Sequence, residues 1–170
     1  MKRVGLALLL TGATPAAAAS IHGPHPLAGL TGKAFDLAWV NHMLLAQETA
    51  AQADLLLIQG AEHETVKVWA ARDFQARQQA VTRLQKLLDQ WRLPPQPCPS
   101  CAQPISETES FASPLQLEER FLNEFPFFSR QTADLARLGL SKSQNPALKQ
   151  EAKALLAWET AQMNDFRSLK

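Results

Sequence analysis

The chain has 170 residues, no Tyr, 7 Gly and 46% hydrophobic residues, with 17 Lys and Arg against 16 Asp and Glu. That near-balance gives no charge argument for nucleic acid or for a membrane surface. The scarcity of Gly and wealth of Ala, Leu, Gln and charged residues favour helix over sheet. At the N-terminus, Lys2 and Arg3 precede an apolar run from Val4 to Leu10, then Pro15 and four alanines, Ala16 to Ala19. This reads as a secretory signal peptide over residues 1–19 and predicts a secreted or periplasmic protein. Its apolar core falls short of the about 20 residues a membrane span needs, and no later segment is long enough and free of charge. Cleavage after Ala19 would leave Ser20 first, with the mature chain again close to neutral.

Residues 20–32 carry His22, Gly23, Pro24, His25, Pro26 and Gly29, a composition that breaks helices and reads as a flexible or extended arm. From Lys33 the residues Phe35, Trp39, Met43, Ala46, Ala50, Ala53 and Leu57 recur at spacings of three and four, which predicts a helix ending near Gly60. Val66, Ala70, Phe74, Val81, Leu84, Leu88 and Trp91 mark a second helix from about Glu64 to Trp91. The turn between the two is too short for anything but an antiparallel return. Five prolines between Leu93 and Thr108 make residues 92–112 a stiff, extended connector. Ser113-Pro114-Leu115-Gln116 then looks like a capped helix start. The stripe Leu117, Phe121, Phe125, Phe128, Thr132, Leu135 and Leu138 continues it, with Pro126 expected to kink or break the helix. Asn145-Pro146 repeats the start signal, and Leu148, Ala152, Leu156, Met163, Phe166 and Leu169 carry the last helix.

A shift of 82 residues without a gap lays Trp39-Val40-Asn41 on Phe121-Leu122-Asn123, Val66-Lys67 on Leu148-Lys149 and Leu87 on Leu169. The expected product is an all-α four-helix bundle made of two repeated hairpins, 33–91 and 113–170, each burying the other's stripe.

The stretches Phe121-Leu122-Asn123-Glu124-Phe125, Asp134-Leu135-Ala136-Arg137, Asn145-Pro146-Ala147-Leu148-Lys149 and Glu159-Thr160-Ala161-Gln162-Met163 resemble domain of unknown function 305. That is a group of exported bacterial proteins with a ferritin-like helical fold. The opening Phe35-Asp36-Leu37-Ala38-Trp39 looks equally like a sister ferritin-like group, domain of unknown function 4142. The resemblance implies the fold, and it implies a His-His pair linked to metal, chiefly copper, in the first group. Here the two places of that pair fall on Ala46 and Gln47, and in the second hairpin on Phe128 and Ser129, so both copies lack it.

Several constellations bear on chemistry. A di-iron centre needs Glu-x-x-His from two helices, and no such segment occurs. His63 lacks the second histidine of a zinc-protease helix and reads as a cap or an exposed side chain. His42 and Met43 could offer an imidazole and a thioether to copper, but neighbours on a helix diverge by about 100 degrees. The alternative is Met43 in the core beside Trp39, with His42 at the stripe's edge. Cys98-Pro99-Ser100-Cys101 has the spacing of a redox motif without its βαβ surroundings, and reads more simply as a structural disulfide. The sharpest metal candidate is the start Ser20-Ile21-His22, whose amine, amides and imidazole suit square-planar Cu(II), with His25 as a further ligand.

The functional expectation is therefore a non-catalytic envelope protein, with weak copper handling through Ser20, His22, His25, His42 and Met43. A metal-free bundle serving an unknown protein partner is one alternative, and a thiol redox protein using Cys98 and Cys101 is another. The four tryptophans, Trp39, Trp69, Trp91 and Trp158, are expected to pack in or beside the core.

Overall fold

A computed structural model describes residues 27–93 and 113–169. They form an all-α four-helix bundle: α1 Gly32–Gly60, α2 Glu64–Gln90, α3 Pro114–Lys142 and α4 Pro146–Phe166, followed by a single 3-10 turn at Arg167–Leu169. None of these helices is long and apolar enough to cross a membrane. Gly32 to Pro114 and Glu64 to Pro146 are the same 82-residue step, and α1 and α3 are both 29 residues long.

The helix ends follow local chemistry. Ser113 Oγ accepts from the Gln116 amide, and Pro114 costs nothing at a position whose N–H has no intrahelical acceptor. Asn145 caps α4 by accepting from the amides of Ala147 and Leu148. His63 occupies the corresponding place before α2, but its side chain makes no cap. Instead its backbone N–H and Nδ1 lie 2.6 and 2.8 Å from the carboxylate of buried Glu118 on α3. The carboxylate raises the imidazole pKa above its ordinary value. Burial works against Glu118, but the His63 amide and ring outweigh it and hold the carboxyl below its usual range. Pro126 does not break α3, which runs through it. Proline deletes one backbone bond, and Phe125 beside it is clamped edge-on by Trp69 and stacked on Phe166.

Long-range contacts fix the topology. Trp39 near the start of α1 donates through Nε1 to the Leu135 carbonyl near the end of α3, at 2.7 Å, while Gly60 at the end of α1 lies against Leu117. Thus α1 and α3 are antiparallel. Arg83 pairs with Glu151 at 2.9 Å, and Trp69 packs on Phe166, so α2 and α4 are antiparallel too. The start of α3 therefore lies at the opposite end of the bundle from the end of α2, and residues 94–112 link the two ends. A 27-residue helix such as α2 measures about 40 Å, so those two helix ends lie on the order of that distance apart.

The core falls into two apolar layers. One gathers Leu27, Phe35, Trp39, Met43, Leu84, Leu88, Leu135, Leu148 and Leu155. The other gathers Leu57, Val66, Trp69, Phe125 and Phe166, with Phe121 packed against it. Each large side chain buried in these layers stabilises the fold by roughly 1.5–3 kcal/mol. Trp39 and Trp69 are buried as expected, and Trp91 and Trp158 are half-buried. Phe128, assigned to the α3 stripe from its spacing, is instead 50% exposed beside exposed Phe127, and Ser129 takes the inward position. Residues 27–29 form a turn in which Leu27 is buried, and Lys142 Nζ donates to the carbonyls of Leu27 and Ala28. That turn therefore packs at the Trp39 end of the bundle.

Candidate functional site: a guanidinium-centred polar core

Between the two apolar layers lies a polar one, drawn from all four helices. Gln47 and Asp54 come from α1, Asp73 and Arg77 from α2, Ser129 and Thr132 from α3, and Glu159 from α4, all of them buried. Arg77 is its hub. Nε sits 2.8 Å from Asp73 Oδ2 and 3.3 Å from Asp54 Oδ2. Nη1 donates to Gln47 Oε1 at 3.1 Å and lies 3.5 Å from Glu159 Oε1. The guanidinium carbon stands 4.8 Å from the centre of the Trp158 ring, a cation–π arrangement that shields one face. Ser129 Oγ donates to Glu159 Oε2 at 2.7 Å, and Gln47 Nε2 points at Met43 Sδ, 3.7 Å away.

Helical geometry explains why these groups converge. Asp73 and Arg77 are one turn apart on α2 and share its inner face, so the pair forms within the helix. Gln47 and Asp54 are two turns apart on the inner face of α1. Under the 82-residue step, Gln47 corresponds to Ser129 and Arg77 to Glu159. The layer is thus built largely from two pairs of equivalent positions, and in one of those pairs a cation faces an anion.

Three carboxyls against one guanidinium cannot all be ionised cheaply in a dry interior. Burial, and then the neighbouring Asp73, push the Asp54 pKa up to about 9, so Asp54 is the neutral acid and hydrogen-bonds to Asp73. Burial also raises Asp73 and Glu159, with Arg77 pulling both back down. For Arg77, burial opposes the charge, but Asp73, Glu159 and Asp54 together outweigh it and hold the guanidinium charged. Asp54 Oδ2, Asp73 Oδ1 and Glu159 Oε1 have no hydrogen-bond partner. The layer is a proton-retaining ion cluster rather than a saturated one.

The retained proton has a measurable consequence. A carboxyl whose folded pKa is raised contributes stability that is full below its unfolded value near 3.8 and is lost as pH rises toward about 9. Asp54→Asn keeps a donor toward Asp73 without a proton to lose. The variant is expected to gain on the wild type between pH 5 and pH 8 by as much as about 1.4 kcal/mol per pH unit. Denaturant unfolding of both proteins across that range checks it; parallel stability curves would contradict a proton held at Asp54.

The sequence-derived candidates are placed differently. Met43 is wholly buried in the Trp39 layer, whereas His42, its neighbour, is half-buried with Nδ1 2.8 Å from the Ala38 carbonyl. Their side chains are not brought to one point. Ser20, His22, His25, Cys98 and Cys101 lie outside the described residues. Among the described residues no group of three or more His, Cys, Asp or Glu is arranged to hold a metal. Gln47 and Ser129, two of the places where the resembled family carries histidine, both face the polar layer. Sequence reasoning missed Asp54, Asp73, Arg77 and Glu159, although a signal existed: Arg77 fills the seven-residue gap between Phe74 and Val81 in the α2 stripe.

No protein-family model and no curated protein matches this chain. Among solved structures it is similar to CopM in the Cu(I)-bound form, with a TM-score of 0.68 and 14% sequence identity, over 79% of this chain and 94% of that one. At that identity the likeness is one of fold.

Proposed function

We propose that this chain is a non-catalytic copper-handling bundle of the cell envelope, exported by residues 1–19, whose metal contact lies on the arm that precedes the bundle. The observation that carries this reading is the fold it shares with a protein captured holding Cu(I). The interior is ill suited to the metal, because Arg77 already supplies the positive charge at the centre and Met43 Sδ is buried against Gln47. The amine of Ser20, the next two amides and the His22 imidazole make the nitrogen set that Cu(II) prefers, with His25 as a further donor. Leu27, two residues after His25 in the sequence, is buried at the Trp39 end of the bundle, where Lys142 Nζ donates to its carbonyl.

The test is a Cu(II) titration of protein produced by export, its first residue read by mass spectrometry, beside a His22→Ala variant. One-to-one binding lost in the variant is the expected result. No binding, or a first residue other than Ser20, would remove the arm site.

A second reading, a metal-free bundle that engages a protein partner, is favoured by the exposed Phe127–Phe128 pair, whose rings lie 5.7 Å apart, and by the guanidinium at the centre. Under that reading the titration is blank and the protein self-associates or binds a partner through α3.

A further inference from the structure

Between α3 and α4 a groove of about 180 Å³ runs from the surface down to the polar layer. Its rim carries three guanidiniums, Arg130, Arg137 and Arg167, and its floor is Ser129 and Glu159. Met163 contributes an apolar wall. Among the described residues only one of the three arginines spends its charge on a carboxylate: Arg137 pairs with Asp134 at 2.5 Å, and that pair is exposed to solvent on both sides. Arg167 donates to the neutral amide of Asn164 at 3.2 Å. Arg130 has no acidic partner among the described ion pairs.

The floor would repel an anion if Glu159 stood alone, but it does not. It lies 3.5 Å from Arg77 Nη1, a cation it shares with Asp73, its Oε2 is occupied by the Ser129 hydroxyl, and burial favours its neutral form. Three rim cations against Asp134 leave an excess of two positive charges on the rim of a cavity that fits a small molecule. Concave surface lined by convergent charge of one sign concentrates counter-ions more strongly than the same charges on a flat face. Guanidiniums also present paired N–H donors that match the oxygens of phosphate and carboxylate.

We propose that the α3–α4 groove is a binding site for a compact oxyanion of charge two or more, a phosphate or a small di- or tricarboxylate. Arg130 and Arg167 grip its oxygens from opposite helix faces, Arg137 adds field from the rim, and the size of the groove excludes polymers. The site is independent of the arm and does not require copper.

Calorimetric titration of the full chain with inorganic phosphate and with citrate, at low salt, tests it. Saturable one-to-one binding of at least one of them is expected, weakened at least about tenfold in Arg130→Gln/Arg167→Gln and suppressed by added salt. These side chains are exposed, so the variant folds, and Arg72→Gln on α2, outside the groove, should bind as the wild type does. Tighter binding of citrate or of phosphate assigns the carboxylate or the phosphate class. No saturation by either up to about 10 mM, or an equal loss in Arg72→Gln, would overturn the proposal.

Discussion

Arg77→Met is expected to cost about 3–5 kcal/mol at pH 7, because it removes the only cation in the polar layer and strands Asp73 and Glu159. Methionine nearly fills the volume, so the loss reports charge rather than a cavity. With Arg77 gone, the largest influence opposing the burial-driven rise in the pKa of Asp73 and Glu159 is removed. The variant should recover as pH falls, since groups with raised folded pKa values favour the folded state in acid. At pH 4 the gap from the wild type should be much narrower than at pH 7. Neutralising the remaining members as well, with Asp54→Asn, Asp73→Asn and Glu159→Gln added to Arg77→Met, should return most of the loss, since no stranded charge remains. Urea unfolding of the three proteins at both pH values measures this. A single Arg77→Met variant as stable as the wild type at pH 7 would mean that the cluster is not an ion cluster at all.

Gly139→Ala is the second large effect, and its sign runs against helix propensity. Alanine in the interior of α3 would ordinarily gain about 1 kcal/mol over glycine. Here a Cβ would stand 2.6 Å from Trp39 Cε2 and 2.7 Å from Nε1, with the indole wholly buried and anchored to the Leu135 carbonyl. The ring cannot retreat without giving up that bond, and overpacking of this kind costs about 1–3 kcal/mol, to which the lost bond adds about 1. A net destabilisation of about 1–3 kcal/mol is expected. Combining it with Trp39→Leu should be less damaging than the sum of the two single changes, because the smaller side chain removes the clash. Additivity in that cycle would contradict the close approach as the cause.

The four helices and their pairing into hairpins were legible because apolar spacing, two capped starts and a proline-rich break all agree. Ser113 and Asn145 cap as their sequence contexts indicate. The polar layer was not legible, for a physical reason. Asp73 and Arg77, one turn apart, look like the exposed ion pairs that decorate most helices, and only three-dimensional packing distinguishes a buried pair from a solvated one. Phe128 shows the converse difficulty. Positions 125, 128, 132 and 135 and positions 125, 129, 132 and 136 both satisfy helical spacing, and the heavier aromatic draws the stripe onto the wrong track. Burial of Ser129 and exposure of Phe128 show that the second track is the inward one at that turn, while Leu135 and Ala136 are both buried further along. Trp158 was expected only to pack, and its ring also faces the Arg77 guanidinium.

Two stacked apolar layers would by themselves tolerate sliding, since leucine against leucine is much the same one turn further along. The charged layer between them works as a key in a lock barrel. Moving α2 by one turn relative to its neighbours would carry Arg77 about 5.4 Å, out of reach of Asp54, Gln47 and Glu159 and into an apolar layer. That penalty falls on every wrong register and on none of the right one, so the group that stabilises the bundle least efficiently is the one that tells each helix where to stop.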